Sequence, residues 1–308
     1  MRPAVYIPHF NGFERLERAL RSLREQTRPL DVVVVDNGSS DGSAELLRER
    51  FGEVGLLELG RNLGFGPALN RAIAERPGDP AILLNDDVDC EPRFVEAMLA
   101  AAEGAEMVAG VLLQEAAPGL IDSAGVVADR TLMGFDYLHG EPAEAAEAAP
   151  APLGPTGGAA LYRLDAFRAA GGFDERIFLY YEDLDLALRL GAAGARCRLA
   201  GEARALHAYS ASLGAASGEK YARTGWSRGY MLRRYGAMSR PGRALRALAG
   251  EAAICAGQIA KDRTAKGIGG RLRGWRDGAG LERRQIDEKA LLDLSLREAL
   301  GMRRLRRG

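Results

Sequence analysis

The chain has 308 residues, 47% of them hydrophobic, which is enough to bury a large core and rules out a disordered chain. Its 42 basic and 42 acidic residues balance overall, yet residues 233–308 hold 19 Lys+Arg against 8 Asp+Glu, so the body is acidic and the tail basic. An acidic body excludes general nucleic-acid binding, whereas a basic tail suits an anionic membrane surface or an acidic partner.

Cys90, Cys197 and Cys255 are odd in number and show no paired spacing, which argues against a disulfide framework or a zinc knuckle and for a reducing compartment. The most apolar late run, Ala247 to Ala260, is broken by Glu251 and Gln258, and no apolar segment precedes the first strand. The expectation is a cytoplasmic, non-spanning protein, peripheral at the inner face of the membrane if its basic tail binds there.

Ala4 to Ile7 is read as a short strand ending at Pro8, followed by a polar turn and a helix with Phe13, Leu16, Leu20 and Leu23 on one face. Val32 to Val35 is a second, continuously apolar strand, ending in Asp36-Asn37-Gly38-Ser39-Ser40-Asp41-Gly42 before the next helix. Gly55 to Leu59 is a third strand, and Arg61 to Gly66 leads into a helix with Pro67 at its first position. Ala81 to Leu84 is a fourth. Three strand–helix alternations with short loops predict a doubly wound, mostly parallel sheet with helices on both faces, its loops 8–12, 36–42, 61–66 and 85–90 sharing one edge.

A helix over Phe94 to Ala102 and a strand over Met107 to Val111 follow. Residues 114–155 read as irregular, and the Ala-, Glu- and Pro-rich part from Glu141 to Pro155 as a mobile insertion. Order resumes at Thr156 to Tyr162, a short helix from Asp165, and a helix that starts near Glu182 and Asp183 and stops at Gly191 or Gly194. Leu206 to Ser212 reads as a polar turn, Tyr230 to Tyr235 as a helix fragment and 240–262 as an amphipathic helix. Arg271 to Gly280 reads as a loop, and 281–300 as a helix ending in the basic string Arg303, Arg304, Arg306 and Arg307.

The chemistry gathers at the end of the fourth strand, where Asp86, Asp87 and Asp89 crowd together. Such carboxylates repel unless a cation joins them, and a divalent ion with oxygen ligands is one remedy; a solvated turn before the helix at Pro92 is the other reading. Alternatives also stand elsewhere. Asp36 contacts a nucleotide or caps its turn, Asp41 caps its helix, His207 serves a metal or diphosphate or is a hydrogen-bonded structural residue, and Arg228 binds phosphate or is a solvated helix charge.

Four motifs together resemble the inverting family 2 glycosyltransferases of the GT-A nucleotide-sugar fold, in their rhamnosyltransferase-like branch, over about Ala4 to Gly236. Val32 to Val35 with Asp36-Asn37-Gly38-Ser39-Ser40-Asp41 resembles the nucleobase-binding loop, and Asn85-Asp86-Asp87 the metal-binding Asp-x-Asp element. Gly171-Gly172-Phe173-Asp174 with Tyr180-Tyr181-Glu182-Asp183-Leu184-Asp185 is similar to the acceptor-side block, and His207 before Ser210 and Ser212 to the late histidine turn. Asn85 stands where many members have the first Asp, and His9 replaces a small residue.

The resemblance implies a hexosyltransferase that moves a sugar, rhamnose in the preferred branch, from a nucleotide diphosphate donor to a carbohydrate or lipid-linked acceptor with inversion. It implies Mg²⁺ or Mn²⁺ on Asp87, Asp89 and His207. Nucleotide contacts fall on Pro8, Phe10, Asn11, Asp36, Asn37, Gly38, Asn62, Gly64 and Asp86, and acceptor contacts on Gly158, Tyr181 and Glu182. Asp183 is implied as the base, in preference to Glu182 and Asp185, with a homodimer left open. The expected organisation is a GT-A domain over 1–236, its nucleotide half 1–112 and acceptor half 156–236, with a basic helical extension over 237–308. A sugar-phosphate nucleotidyltransferase is the alternative enzyme, but its Gly-rich basic loop is missing from Pro8 to Gly12; a non-catalytic nucleotide-sugar-binding protein is the other alternative.

Overall fold

The computed structural model describes residues 2–208 and 217–305. Along the first half run β1 (Ala4–His9), α1 (Phe13–Arg24), β2 (Asp31–Asp36), α2 (Ser43–Arg50), β3 (Gly55–Glu58), α3 (Phe65–Glu75), β4 (Ala81–Leu84), β5 (Val88–Cys90), α4 (Phe94–Ala101) and β6 (Met107–Gln114). Next come β7 (Ala117–Ser123), β8 (Val126–Ala128), β9 (Gly134–Asp136), α5 (Ala145–Ala148), β10 (Ala159–Tyr162), α6 (Leu164–Ala169), α7 (Glu182–Ala192) and β11 (Cys197–His207). The chain continues with α8 (Gly218–Arg234), α9 (Pro241–Asp262), α10 (Lys266–Asp277), a 3₁₀ turn (Glu288–Ala290) and α11 (Leu296–Leu305).

One mixed sheet runs in the order β3-β2-β1-β4-β10-β6-β11-β5, with β7 against β6, and β8 and β9 form a separate pair. The first four positions are parallel; β10 lies antiparallel between β4 and β6. Side chains alternate along each strand, so β1 sends Val5 and Ile7 into a core under α1, α2 and α4, and Ala4 and Tyr6 into a second core under α3, α6 and α7. The expectation of helices on both faces holds, and so does the shared edge, because all four parallel strands end on the same side.

Three expectations fail for physical reasons. Residues 114–155 are built rather than irregular: β7 to β9 pair, and Ala143 and Ala146 are buried against Val111 and Ile121. Alanine richness there reflects close packing. The stretch expected to be a loop from Arg271 is most of α10, whose Gly267, Gly270 and Gly274 lie against the α8 backbone, where a Cβ on Gly270 or Gly274 would strike a carbonyl oxygen of Ala222 or Trp226. Glycine spaced at helical intervals marks backbone contact as well as turns. Residues 281–295 hold only the 3₁₀ turn, so the last helix is short. Ser210 and Ser212 of the histidine turn and the side chains of the terminal basic string lie outside the described residues.

Arg228 is neither a phosphate ligand nor solvated. It is 0% exposed, its Nε donates to Oε1 of Glu251 on α9 at 2.8 Å, and its Nη atoms donate to the carbonyls of Thr131 and Leu132. Arg271 on α10 reaches the other oxygen of Glu251 at 2.5 Å. A charge this deep has to be paired, so α8, α9 and α10 are tied at one point.

Candidate active site

A cleft of about 1370 Å³ opens at the carboxyl edge of the parallel strands. Pro8 and Phe10 after β1, Asn37 after β2, and Asn62 and Gly64 before α3 line it. Asn37 joins two of these loops, because its Oδ1 accepts from the Leu63 amide at 2.8 Å and its Nδ2 donates to the Gly64 carbonyl at 2.9 Å. Asn11, Asp36 and Gly38, expected among the nucleotide contacts, sit behind the rim. Asp36 accepts from the Ser39 amide at 3.2 Å, Asn11 accepts from the Ser40 amide at 2.9 Å, and Gly38 takes φ +85° with no room for a Cβ beside Arg61. Asp41 accepts from the amides of Ser43 at 3.1 Å and Gly12 at 2.6 Å, so it braces the turn before α2 and staples the first loop to the second, while the N-cap of α2 is Gly42.

Asn85, Asp86 and Asp87 follow β4 into the cleft. Buried His9 points Nδ1 at Oδ2 of Asp86, 2.7 Å away, and Arg15 lies 3.5 Å from the same oxygen, so the unusual His9 anchors the acidic turn. Asp87 differs: the partner of its buried Oδ1 is the His207 ring, whose Nε2 lies 3.3 Å away. His207 ends β11, and its Nδ1 lies 2.7 Å from Oδ2 of Asp122 on β7. His139 sets its Nδ1 2.7 Å from the Asp122 carbonyl. Burial opposes charge on His207, but the hydrogen bonds and charges of Asp122 and Asp87 outweigh it and push its pKa up to about 10. The hydrogen bond to Asp122 raises His139 as well. All three histidines of the chain therefore lie in this cleft beside carboxylates.

Asp122 and His139 escaped sequence reasoning because they lie in the segment read as irregular, and no spacing links them to Asp87. Asp89 does not line the cleft. On β5 the side chains alternate, Val88 and Cys90 turn into the core, and Asp89 faces the charges of Arg18, Glu25 and Glu115.

The far wall is Thr156 to Gly158 and Phe178 to Leu184. Antiparallel pairing of Ala159 with Leu84 sets Gly158 beside Asn85, whose Nδ2 would lie 3.1 Å from a Cβ there. One residue earlier the Gly157 amide donates to Oδ2 of Asp183 at 3.3 Å, which brings Asp183 to the acidic end of β4. Tyr180 and Tyr181 both hold positive φ, 68° and 73°, a strained pair that turns the chain into α7. Cations of α8 brace this turn: the Arg223 guanidinium lies 3.8 Å from the Phe178 ring centre, Lys220 5.8 Å from Tyr180 and Arg228 5.6 Å from Tyr181.

The three carboxylates of α7 part ways. Asp183 accepts from the Leu184 amide at 2.7 Å and lines the cleft. Glu182 also borders it but is 6% exposed, and burial together with the neighbouring Asp183 raises its carboxyl to about 8. Asp185 turns into the core, where Arg189 at 2.9 Å, Tyr235 at 2.8 Å and Arg284 hold it; it is a structural anion.

An α/β sheet with a two-walled acidic cleft at its carboxyl edge presents a ligand site where sheets of this class bind their ligands. The model of glycosyl transferase family 2 matches residues 4–169, and the chain belongs to that family. It is 35% identical over 218 residues to N-acetylglucosaminyl-diphospho-decaprenol L-rhamnosyltransferase of Mycobacterium tuberculosis, covering 62% of this chain and 71% of that one. Succinoglycan biosynthesis protein ExoA of Rhizobium meliloti is 32% identical over 207 residues, 62% of this chain and 58% of the relative. Among solved structures, a Pyrobaculum calidifontis mannosyltransferase in complex with GDP-Man and Mn²⁺ superposes with a TM-score of 0.55 at 17% identity, over 91% of this chain and 87% of that one. GalNAc-T7 with UDP, GalNAc and Mn²⁺ gives 0.62 at 13% identity, over 92% and 55%. The fold is the GT-A fold, and the protein is a glycosyltransferase.

Proposed function

We propose that the cleft transfers a sugar, rhamnose as in the name of the mycobacterial relative, from a nucleoside diphosphate to a lipid-linked acceptor, with inversion. The observation that carries this is the joining of Asp183 to the acidic end of β4 through Gly157 and Gly158, which sets a basic oxygen beside the place where a diphosphate leaves. A cleft of about 1370 Å³ exceeds the roughly 300–1,000 Å³ of single-ligand pockets and suits two substrates.

Half-exposed Phe10 offers its ring to the base of the nucleotide, and Asn37, Asn62 and Gly64 offer polar groups to its ribose and phosphates. Asp183 takes the proton of the acceptor hydroxyl as that oxygen attacks the anomeric carbon from the face opposite the diphosphate. Burial and the neighbouring Asp183 favour the neutral form of Glu182, which limits repulsion at Asp183.

Among the described residues no set of three or more His, Cys, Asp or Glu is arranged to hold an ion. The donor set fits a divalent cation once His207 gives up its proton, because the His207 ring is then a free nitrogen ligand facing the buried Oδ1 of Asp87, and such ions take one or two protein ligands plus substrate phosphates. Asp87 and His207 would hold it, and it would offset the negative charge of the leaving diphosphate. Asp86, already bound by His9 and Arg15, supports the turn.

Thermal shift over a panel of nucleotide sugars with Mg²⁺ or Mn²⁺ tests the reading, since a ligand at 100 times its dissociation constant adds about 2.7 kcal/mol. A dTDP- or UDP-sugar that stabilises only with metal, and then transfers to a polyprenyl-diphosphate sugar, is the expected result. Stabilisation by none of them would defeat it.

A further inference from the structure

We infer that the outward face of α9 seats on an anionic lipid bilayer and carries the mouth of the cleft to that surface. The helix is apolar on both sides: its inward side packs Ala247, Ile254 and Cys255 around the polar Glu251 and Gln258, while Leu245, Leu248, Ala252, Ala256 and Ile259 face outward. No exposed residue from Leu245 to Ala260 is charged or polar, and Leu245 and Leu248 are 71% and 55% exposed. A surface helix normally turns charged and polar residues outward.

Charge names the occupant. Beyond the apolar stripe come four exposed cations, Lys261, Arg263, Lys266 and Arg273, and α10 adds exposed Ile268 and Leu272 among them, while Arg276 pairs with the exposed Asp277. From Leu245 to Arg276 no exposed residue is acidic. An apolar stripe continued by cations matches acyl chains bordered by anionic headgroups. Two-fold pairing with a second copy would instead bring two basic surfaces together. No helix among the described residues is long and apolar enough to cross a membrane, so the contact is one of lying on the surface.

Position gives the contact its use. Gln258, Lys261 and Asp262, at the end of the same helix, line the cleft. A bilayer under α9 therefore meets the cleft mouth, where an acceptor sugar on a lipid diphosphate would enter with its anionic group near Lys261. That use rests on the lipid-linked acceptor proposed above; the docking itself does not.

The test is flotation of the full chain with phosphatidylglycerol-containing vesicles and with pure phosphatidylcholine vesicles, because removing α9 would strip Glu251 from Arg228 and unfold the protein. Wild type should float with the anionic vesicles and lose this at high salt. Leu245→Asp with Leu248→Asp should lower the partition coefficient at least about tenfold, as should Arg263→Glu with Arg273→Glu, both keeping the wild-type melting temperature. Both variants should still bind the nucleoside diphosphate that wild type binds, and loss of donor turnover with flotation intact would count against the transfer reading alone. Absence of flotation, equal flotation by the leucine variant, or a wild-type dimer that the leucine variant dissociates would overturn the docking.

Discussion

Oδ2 of Asp122 lies 2.7 Å from Nδ1 of His207, while Nε2 of the same ring faces Asp87 at 3.3 Å. The carboxylate fixes the ring so that one nitrogen points at the cleft, the arrangement in which an outer carboxylate orients a metal-binding histidine. Asp122→Ala should weaken Mn²⁺ binding about 10- to 100-fold, read by electron paramagnetic resonance of Mn²⁺ with a nucleoside diphosphate. Unchanged Mn²⁺ affinity would make the contact purely structural.

Asp87 itself is the more severe change. Asp87→Asn should abolish the metal-dependent part of nucleotide binding while the melting temperature holds, since asparagine keeps an oxygen facing the His207 ring. Calorimetry with and without EDTA measures this, and metal-dependent affinity equal to wild type would remove Asp87 from the site.

Why Asp87 was legible and Asp122 was not is a matter of chain distance. Asp87 follows four apolar strand residues in a pattern that any parallel sheet repeats, so strand, loop and edge could all be read locally. Asp122, by contrast, meets His207 across 85 positions through the pairing of β7 and β11 with β6. The same holds for Arg228, whose partner Glu251 sits on a helix that is apolar on both its buried and its exposed side, so the local pattern does not show which way Glu251 points. The Gly-rich run of α10 read as a loop because turns and close helix contacts both call for residues without a Cβ.

Glu251 gives a stability prediction with a defined pH window. Its folded-state pKa sits near 2 against an ordinary 4.5; burial opposes this, and Arg228 and Arg271 outweigh burial. A lowered pKa contributes stability that is complete above 4.5 and is lost as pH falls through that value toward 2. Glu251→Ala should remove this acid sensitivity and, by leaving Arg228 buried without its anion, cost about 3–5 kcal/mol at neutral pH in urea denaturation. A loss below about 1 kcal/mol, the scale of exposed pairs, would contradict the buried pairing.

Glu182 works in the opposite direction. Burial and the charge of Asp183 raise its carboxyl from 4.5 to about 8, so it favours folding in its neutral form, and that contribution is full below 4.5 and lost as pH rises through about 8. Glu182→Gln keeps the shape without the proton, and should make stability at pH 8 to 9 higher than wild type by at least about 1 kcal/mol while matching it at pH 5. Parallel stability curves for the two proteins would show that Glu182 does not titrate between these limits.

Asp183 and Asp185 sit two residues apart on one helix, and the structure gives them opposite fates. Asp183→Asn keeps the size and most of the hydrogen bonding to the Leu184 and Gly157 amides, so the fold should persist while turnover with saturating donor and acceptor falls about 10²–10⁴-fold, the usual contribution of a general base. Asp185→Asn should do the reverse. It withdraws the charge that Arg189 and Arg284 surround, so melting temperature should drop while the turnover of the folded fraction stays near wild type. Measuring both variants side by side separates chemistry from architecture: if Asp183→Asn transfers sugar at the wild-type rate, the base lies elsewhere in the cleft, with Glu182 the nearest carboxyl.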